Sequence, residues 1–190
     1  VDAKADMLVY GMGEVQILEI ARRLASGEDV KQLKGIRGTA ILRNSEQGFE
    51  HAVRLSSYEE TSTDKHKFNE AFRLAYLEGD PVRGKPLLQQ HGARFVIQEP
   101  PPLPLTASIL DHFYSLPFAR NWHPVYERAG GVPGFETVRF SITSHRGCAG
   151  ECNFCSLFAH QGRMIQSRSK GSILGEVKLL ASRNDFKGTI

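Results

Sequence analysis

The three cysteines of this 190-residue chain constrain its fold most, because they lie within eight consecutive positions. They are Cys148, Cys152 and Cys155, and their spacing is C-x3-C-x2-C. Gly147 and Gly150 flank the first of them and permit the tight turns of a loop whose backbone approaches a ligand. Spacing this close indicates a metal site on a loop rather than three unrelated buried thiols.

Three thiols allow several kinds of site. A disulfide would leave one of the three unpaired. A structural zinc site needs four ligands, so His145 or His160 would have to supply the fourth, and neither has a familiar finger spacing to the cysteines. A 4Fe–4S cluster held through three irons uses all three thiolates and leaves one iron open. The cluster explains the odd number directly, and a structural zinc or redox-inert metal module of a binding protein is the alternative.

Composition and charge exclude several classes of protein. The chain has 24 Lys and Arg, 21 Asp and Glu, a net charge of +3 and 41% hydrophobic residues. This balance is typical of a globular protein with a core, and the charge is too small to indicate a nucleic-acid surface. No apolar run spans a bilayer and no signal core opens the chain, so we expect a cytoplasmic, reducing location.

The residues around the cysteines resemble a known family. An aromatic residue, Phe154, precedes the last cysteine, as in the signature of radical S-adenosylmethionine (SAM) enzymes. The stretches "FSITSHRGCAGECNFC" and "HQGRMIQSRS", within residues 136–176, are similar to the YgiQ-type radical SAM family in particular. The resemblance extends over most of the chain from about Ser57 onward.

Membership of this family implies a cofactor set and a reaction. Cys148, Cys152 and Cys155 would bind a 4Fe–4S cluster, and Phe154 would join them in the cofactor-binding set. SAM would bind the open iron, and an electron would break its carbon–sulfur bond to release a 5′-deoxyadenosyl radical. The resemblance also implies a flavodoxin- or ferredoxin-like reductant and leaves the substrate unknown. It assigns no catalytic side chain in this chain.

Two positions depart from the family pattern. Ala149 stands where the family usually has an aromatic residue, and Glu151 stands where it usually has glycine. Neither change removes a thiolate, so we expect both to alter only the packing of the loop.

Four polar residues near the cysteines have open roles. His145 and His160 are candidates for hydrogen bonding to the cluster or for proton transfer, or they are ordinary loop histidines. Arg163 and Arg168 are candidates for binding the SAM carboxylate, since a guanidinium matches a carboxylate bidentately, or they form structural salt bridges.

The pattern of short strands and amphipathic helices predicts an α/β chain. Residues 7–10 predict a strand, and apolar residues at i, i+3, i+4 and i+7 from Ile17 predict a helix that Gly27 ends. Thr63 or Asp64 should begin another helix, followed by a strand at Arg94–Gln98 and a stiff proline-rich segment.

The C-terminal third predicts two strands with a helix between them. Most of residues 137–143 are β-branched or aromatic and predict the first strand, the stretch "GSILGEVKLLAS" predicts the helix, and "FKGTI" predicts the second strand. The resemblance implies that these elements open a barrel.

The resemblance divides the chain into three parts. Residues 1–56 would be the C-terminal part of a Rossmann-like, cobalamin-binding-type domain, residues 57–133 a helical and proline-rich connector, and residues 134–190 the start of a partial (β/α) radical SAM barrel. We therefore expect a piece of a longer enzyme that does not by itself cleave SAM at the rate of the whole protein. Whether the protein binds cobalamin stays open.

Overall fold

The computed structural model describes residues 1–2 and 4–190 and divides them into two compact units. The sheet unit comprises Val1–Pro104 and Cys148–Arg163, and the helix unit comprises Leu105–Gly147 and Met164–Ile190. Helices and strands alternate along the chain, which confirms the mixed α/β class. No helix in the described part of the chain has the length and apolar character needed to cross a membrane.

The sheet unit is built on five strands in the order β1-β2-β5-β4-β3. The pairs β1/β2, β2/β5 and β4/β5 are antiparallel, and only β3/β4 is parallel. The strands are β1 (Met7–Val9), β2 (Thr39–Arg43), β3 (Val53–Arg54), β4 (Leu87–His91) and β5 (Arg94–Gln98).

Two apolar clusters form the core of the sheet unit. One joins Ile41, Leu88 and Ile97 from β2, β4 and β5 with Phe49. The other consists of Ile20, Leu33 and Ile36, and Met7 packs against both clusters. Burial of these side chains contributes roughly 1.5–3 kcal/mol each before entropy costs, which fixes the register of the three central strands.

In the described part of the chain, four α-helices belong to the sheet unit, and side-chain caps begin two of them. Ser57 and Glu60 form a reciprocal capping box at the second helix, and the Asp64 side chain accepts the backbone N–H of His66 at the third. The helices predicted from Ile17 and from Asp64 are thereby confirmed. Their bounds are α1 (Glu14–Ala25), α2 (Tyr58–Thr63), α3 (Lys65–Leu77) and α5 (Leu157–Gln161).

The helix unit contains α4 (Ala107–Tyr114), α6 (Lys170–Ala181) and a two-stranded ribbon of β6 (His145–Arg146) and β7 (Gln166–Ser167). Asp111 on α4 accepts the backbone N–H of Ser169, the residue that caps α6, at 2.9 Å. This bond ties the two helices together at the start of α6.

Two strand predictions are wrong. Thr137 ends a 3₁₀ helix, and residues 138–140 form a turn after the Val138 amide donates to the Phe135 carbonyl at 3.1 Å. Residues 141–143 and 186–190 form no strand. Phe140 and Phe186 instead pack edge to face at 5.3 Å. β-branched and aromatic residues favour a strand only where a neighbouring strand pairs with them, and here these aromatic rings pack on each other instead.

The finer parts of the fold prediction stay open. A sheet with three antiparallel pairs does not confirm the Rossmann-like remnant, since doubly wound sheets are mostly parallel. The start of a barrel and the predicted boundaries at 56 and 133 are likewise predictions still.

Candidate functional site

The three cysteines lie on the loop that precedes α5, and all three thiols are free. Cys148 and Cys155 are half-buried, whereas Cys152 is exposed. The Cys148 amide donates to the Gly162 carbonyl at 3.0 Å and closes the base of the loop, so the segment from Cys148 to Gly162 folds back on itself.

Two of the sulfur atoms accept backbone hydrogen bonds. The Gly150 amide lies 3.4 Å from Cys148 Sγ, and the Leu157 amide lies 3.5 Å from Cys155 Sγ. Hydrogen bonds to cysteine sulfurs tune an iron–sulfur group through its ligands. The backbone of this loop therefore already donates to two of the three candidate ligands.

Gly150 lies between two of the sulfur atoms. A Cβ atom at this position would lie 3.4 Å from Cys148 Sγ and 3.6 Å from Cys152 Sγ. The glycine thus leaves free the space between the two thiols that a shared group would need.

The donor set fits a thiolate-bound group in its chemistry. Three free thiols lie on one loop, and two of them already accept N–H hydrogen bonds. The three sulfur atoms do not form a metal-binding cluster in this structure. Among residues 1–2 and 4–190, no three Cys, His, Asp or Glu side chains are close enough to hold one metal ion. A metal group would have to draw the loop together, as metal binding commonly does.

Three other residues singled out from the sequence are exposed. The Phe154 side chain is 93% exposed. His145 is exposed, and its Nδ1 atom lies 2.9 Å from Ser144 Oγ, and His160 is exposed on α5. None of these contacts assigns the two histidines a role in binding or proton transfer.

Both arginines form ion pairs with glutamates. Arg163 Nε donates to Glu151 Oε1 at 2.6 Å in the sheet unit. In the helix unit, Arg168 pairs with Glu176 and also donates to the Thr143 carbonyl at 2.9 Å. In this structure the two arginines therefore form salt bridges, one of the two roles open to them from the sequence.

Sequence reasoning missed Tyr76 as a neighbour of the cysteine loop. The Tyr76 hydroxyl donates to Glu151 Oε2, although the two residues are 75 positions apart. This hydrogen bond raises the pKa of Tyr76, because ionisation would remove the donated proton. In the sequence, Tyr76 is only one residue of the helix predicted after Asp64, and nothing in that pattern indicates a contact with the cysteine loop.

A second missed cluster lies in the helix unit. Arg120 Nη1 contacts Glu176 Oε1 at 2.7 Å, so Glu176 bridges Arg120 and Arg168. The Arg168 guanidinium also lies 4.3 Å from the centre of the Tyr114 ring. This cluster lines a cavity of about 500 Å³ between α4 and α6. Charge spacing along the chain gives no signal for it, because Arg120 is far from Glu176 in sequence.

Comparison with known proteins identifies relatives along the whole chain. Residues 1–141 match the family described as Radical SAM N-terminal. A "UPF0313 protein" of Clostridium botulinum is 45% identical over 189 residues, which cover 100% of this chain and 29% of that protein. A "UPF0313 protein" of Methanocella arvoryzae is 48% identical, again over 100% of this chain and 31% of that protein.

The chain thus spans less than a third of the length of these relatives. A Clostridium perfringens "UPF0313 protein", 44% identical over 191 residues, gives the same picture, with 29% of its length covered. No solved structure matches the chain.

Proposed function

Because the chain belongs to the UPF0313 family of radical SAM proteins, we propose that Cys148, Cys152 and Cys155 bind a 4Fe–4S cluster. In the whole protein this cluster would serve the reductive cleavage of SAM to a 5′-deoxyadenosyl radical. The substrate that the radical attacks is not specified by any residue of this chain.

One observation carries the proposal. The loop holds three free thiols in C-x3-C-x2-C spacing, in a chain whose first 141 residues match the Radical SAM N-terminal family. Three thiolates leave one iron of a four-iron cluster without a protein ligand, which is the position that a small molecule needs.

The residues of the loop have separate tasks in this proposal. The three thiolates hold the metal, and the amides of Gly150 and Leu157 stabilise negative charge on the sulfurs of Cys148 and Cys155. Gly150 keeps the space between two thiolates empty. When bound, such a cluster supplies one electron for cleavage of the carbon–sulfur bond of SAM.

Phe154 belongs to the proposed cofactor-binding set. Its ring is 93% exposed, so an aromatic face is available to a ligand beside the last cysteine. We propose that it contacts SAM rather than the metal. Phe154→Ala should therefore keep the iron content and weaken SAM binding, measured by equilibrium dialysis with reconstituted protein.

The proposal also covers the order of the domains, the cellular compartment and the electron donor. Residues 134–190 would open a partial (β/α) barrel, after a Rossmann-like part at 1–56 and a connector at 57–133. The family match ends at residue 141, close to the boundary at 134, which supports this order. The thiols require a reducing compartment, so we place the protein in the cytoplasm with a flavodoxin- or ferredoxin-like reductant.

Anaerobic reconstitution with iron and sulfide tests the cluster. The wild-type protein should turn brown and bind iron and sulfide in equal amounts, whereas a zinc module stays colourless. Cys152→Ser should lose most of the iron, because one iron loses its protein ligand, and His160→Ala should keep it. Full iron in Cys152→Ser together with loss in His160→Ala would instead show a mixed Cys/His site.

Gly150→Ala tests the space between the sulfurs. The residue has no left-handed backbone requirement, so the added methyl group acts through the space that it fills. We expect a lower iron content with an unchanged unfolding midpoint. Formation of 5′-deoxyadenosine from SAM by the whole reconstituted protein, measured by chromatography, tests the reaction itself.

A further inference from the structure

Glu151, between the first two cysteines, has a backbone conformation that glycine favours. Its φ is 45°, in the left-handed region, which costs a residue with a Cβ atom about 1–2 kcal/mol. This chain therefore carries an unfavourable backbone conformation within the cysteine loop. Such strain persists only where surrounding contacts hold it.

The Glu151 side chain makes those contacts with both carboxylate oxygens. Oε1 accepts from Arg163 Nε at 2.6 Å, and Oε2 accepts from the Tyr76 hydroxyl. The Glu151 carboxylate therefore connects the middle of the loop to Arg163, two residues after α5, and to Tyr76 on α3.

Arg163 is itself fixed on α3. Its guanidinium carbon lies 4.0 Å from the centre of the Tyr76 ring, and its Nη2 donates to the Tyr76 carbonyl at 3.2 Å. This carbonyl is in the last turn of α3, where the helix dipole favours a cation. The same guanidinium lies 5.7 Å from the ring of Phe158 on α5. Arg163 thus has hydrogen-bond and ring contacts on two helices.

We propose that Glu151, Arg163 and Tyr76 form a latch that positions the loop between Cys148 and Cys152 for metal uptake. This Glu151 latch rests on the proposed function, since it acts on the same thiols. Holding the loop against α3 before metal arrives removes part of the ordering cost that would otherwise weaken binding. The three residues are positioning residues and do not contact the metal.

Cobalt(II) titration of the reduced protein, followed by thiolate-to-cobalt absorption, tests the latch without any turnover. Glu151→Ala and Arg163→Ala should each raise the half-saturating cobalt concentration on the order of 10-fold, as loss of supporting contacts around metal ligands does. The double variant should be no weaker than the weaker single variant, because either change opens the same latch. Glu151→Gln keeps one oxygen that accepts from Arg163, and its NH2 group can donate to the Tyr76 hydroxyl, so it should weaken binding less than Glu151→Ala.

The signs of the two single-variant effects separate a latch from simple electrostatics. Glu151→Ala removes a negative charge near the thiols and Arg163→Ala removes a positive one, so charge alone should shift the cobalt affinity in opposite directions in the two variants, whereas opening a latch should weaken binding in both. Glu28→Ala is the matched control, because the Arg23–Glu28 pair also lies in the sheet unit with nearly the same exposure, 27% and 32% against 26% and 32% for Arg163 and Glu151. It should bind cobalt as the wild type does.

Hydrogen exchange without metal gives a second readout. Amides of residues 148–156 should exchange faster in both latch variants and unchanged in Glu28→Ala. Wild-type affinity in Glu151→Ala, or tighter binding in Arg163→Ala, would overturn the latch while leaving the cluster proposal in place. Failure of the wild-type protein to bind cobalt or iron would overturn the cluster proposal and, with it, the latch's role in metal uptake.

Discussion

Two arginine–glutamate pairs form around the segment that follows the cysteines, and they differ in burial. Arg163 and Glu151 have side chains 26% and 32% exposed in the sheet unit, whereas Arg168 and Glu176 are 1% and 7% exposed in the helix unit. Water screens the first pair and is excluded from the second. The same two residue types therefore serve loop position in one unit and the stability of the packed helices in the other.

Burial makes the second pair costly to break. Removing one partner of a buried ion pair leaves a charge without compensation and costs about 3–5 kcal/mol, whereas an exposed pair contributes about 0–1 kcal/mol. Arg168 adds hydrogen bonds to the Thr143 carbonyl and to Ser172 Oγ, at 2.9 Å and 2.8 Å. The comparison between the two pairs can be tested by changes in the free energy of unfolding.

Arg168→Met should have the largest effect, a loss of about 3 kcal/mol in the free energy of unfolding of the helix unit, since Glu176 keeps only Arg120. The chain has one tryptophan, Trp122, which lies in this unit, so urea titration followed by its fluorescence reports the loss. Arg163→Met in the sheet unit is the matched comparison, and its loss, measured by hydrogen exchange of amides in β2 and β5, should stay below about 1 kcal/mol. Equal losses in the two variants would remove the contrast between the pairs.

Arg120→Gly should have the next largest effect. Arg120 also has a left-handed backbone, with φ of 50°, so glycine relieves about 1 kcal/mol while Glu176 loses one of its two cations. We expect a net loss of about 2 kcal/mol by the same fluorescence titration. Arg120→Ala, which keeps the backbone strain, should be less stable than Arg120→Gly; the opposite order would contradict the strain assigned to this residue.

Asp111→Asn should have a smaller effect that depends on pH. The hydrogen bonds from Ser169 lower the pKa of Asp111 in the folded protein, so its carboxylate stabilises the fold above its ordinary pKa, and this contribution is lost as pH falls through the lowered value. The difference in unfolding midpoint between wild type and variant should therefore be present at pH 7 and shrink toward pH 3. A difference that stays constant over this range would mean that the charge of Asp111 is not involved.

Glu151→Gly should have the smallest effect on stability. It removes an exposed pair and relieves the left-handed backbone, so the free energy of unfolding should stay within about 1 kcal/mol of the wild type. Hydrogen exchange of amides in β2 and β5 measures the stability of the sheet unit. A loss above about 2 kcal/mol in the free energy of unfolding would show that the Arg163–Glu151 pair supports the fold as the buried pair does. The difference between the two pairs would then be disproved.

The sequence predicted elements best where the signal was local. The helix after Asp64 and the strand Arg94–Gln98 were predicted correctly, because capping chemistry and side-chain periodicity act within a few residues. Residues 137–143 have strand propensity but form no strand, because pairing depends on a neighbour that no local pattern specifies. Phe68 and Phe72 lie on α3 and are 59% and 60% exposed. The sequence indicates that they belong to a helix, but it does not indicate that their side chains are exposed.

The sequence by itself determined the donor chemistry of this protein: three thiols on one loop, with a glycine between the first two. The order and spacing of these residues are set by the covalent chain, so they can be read without knowledge of the fold. Only the tertiary structure decided which arginine pairs with which glutamate, how deeply each pair is buried, and that Tyr76 contacts the cysteine loop. Those contacts join residues up to 75 positions apart, and their strength depends on the exclusion of water, which follows from packing and not from sequence order.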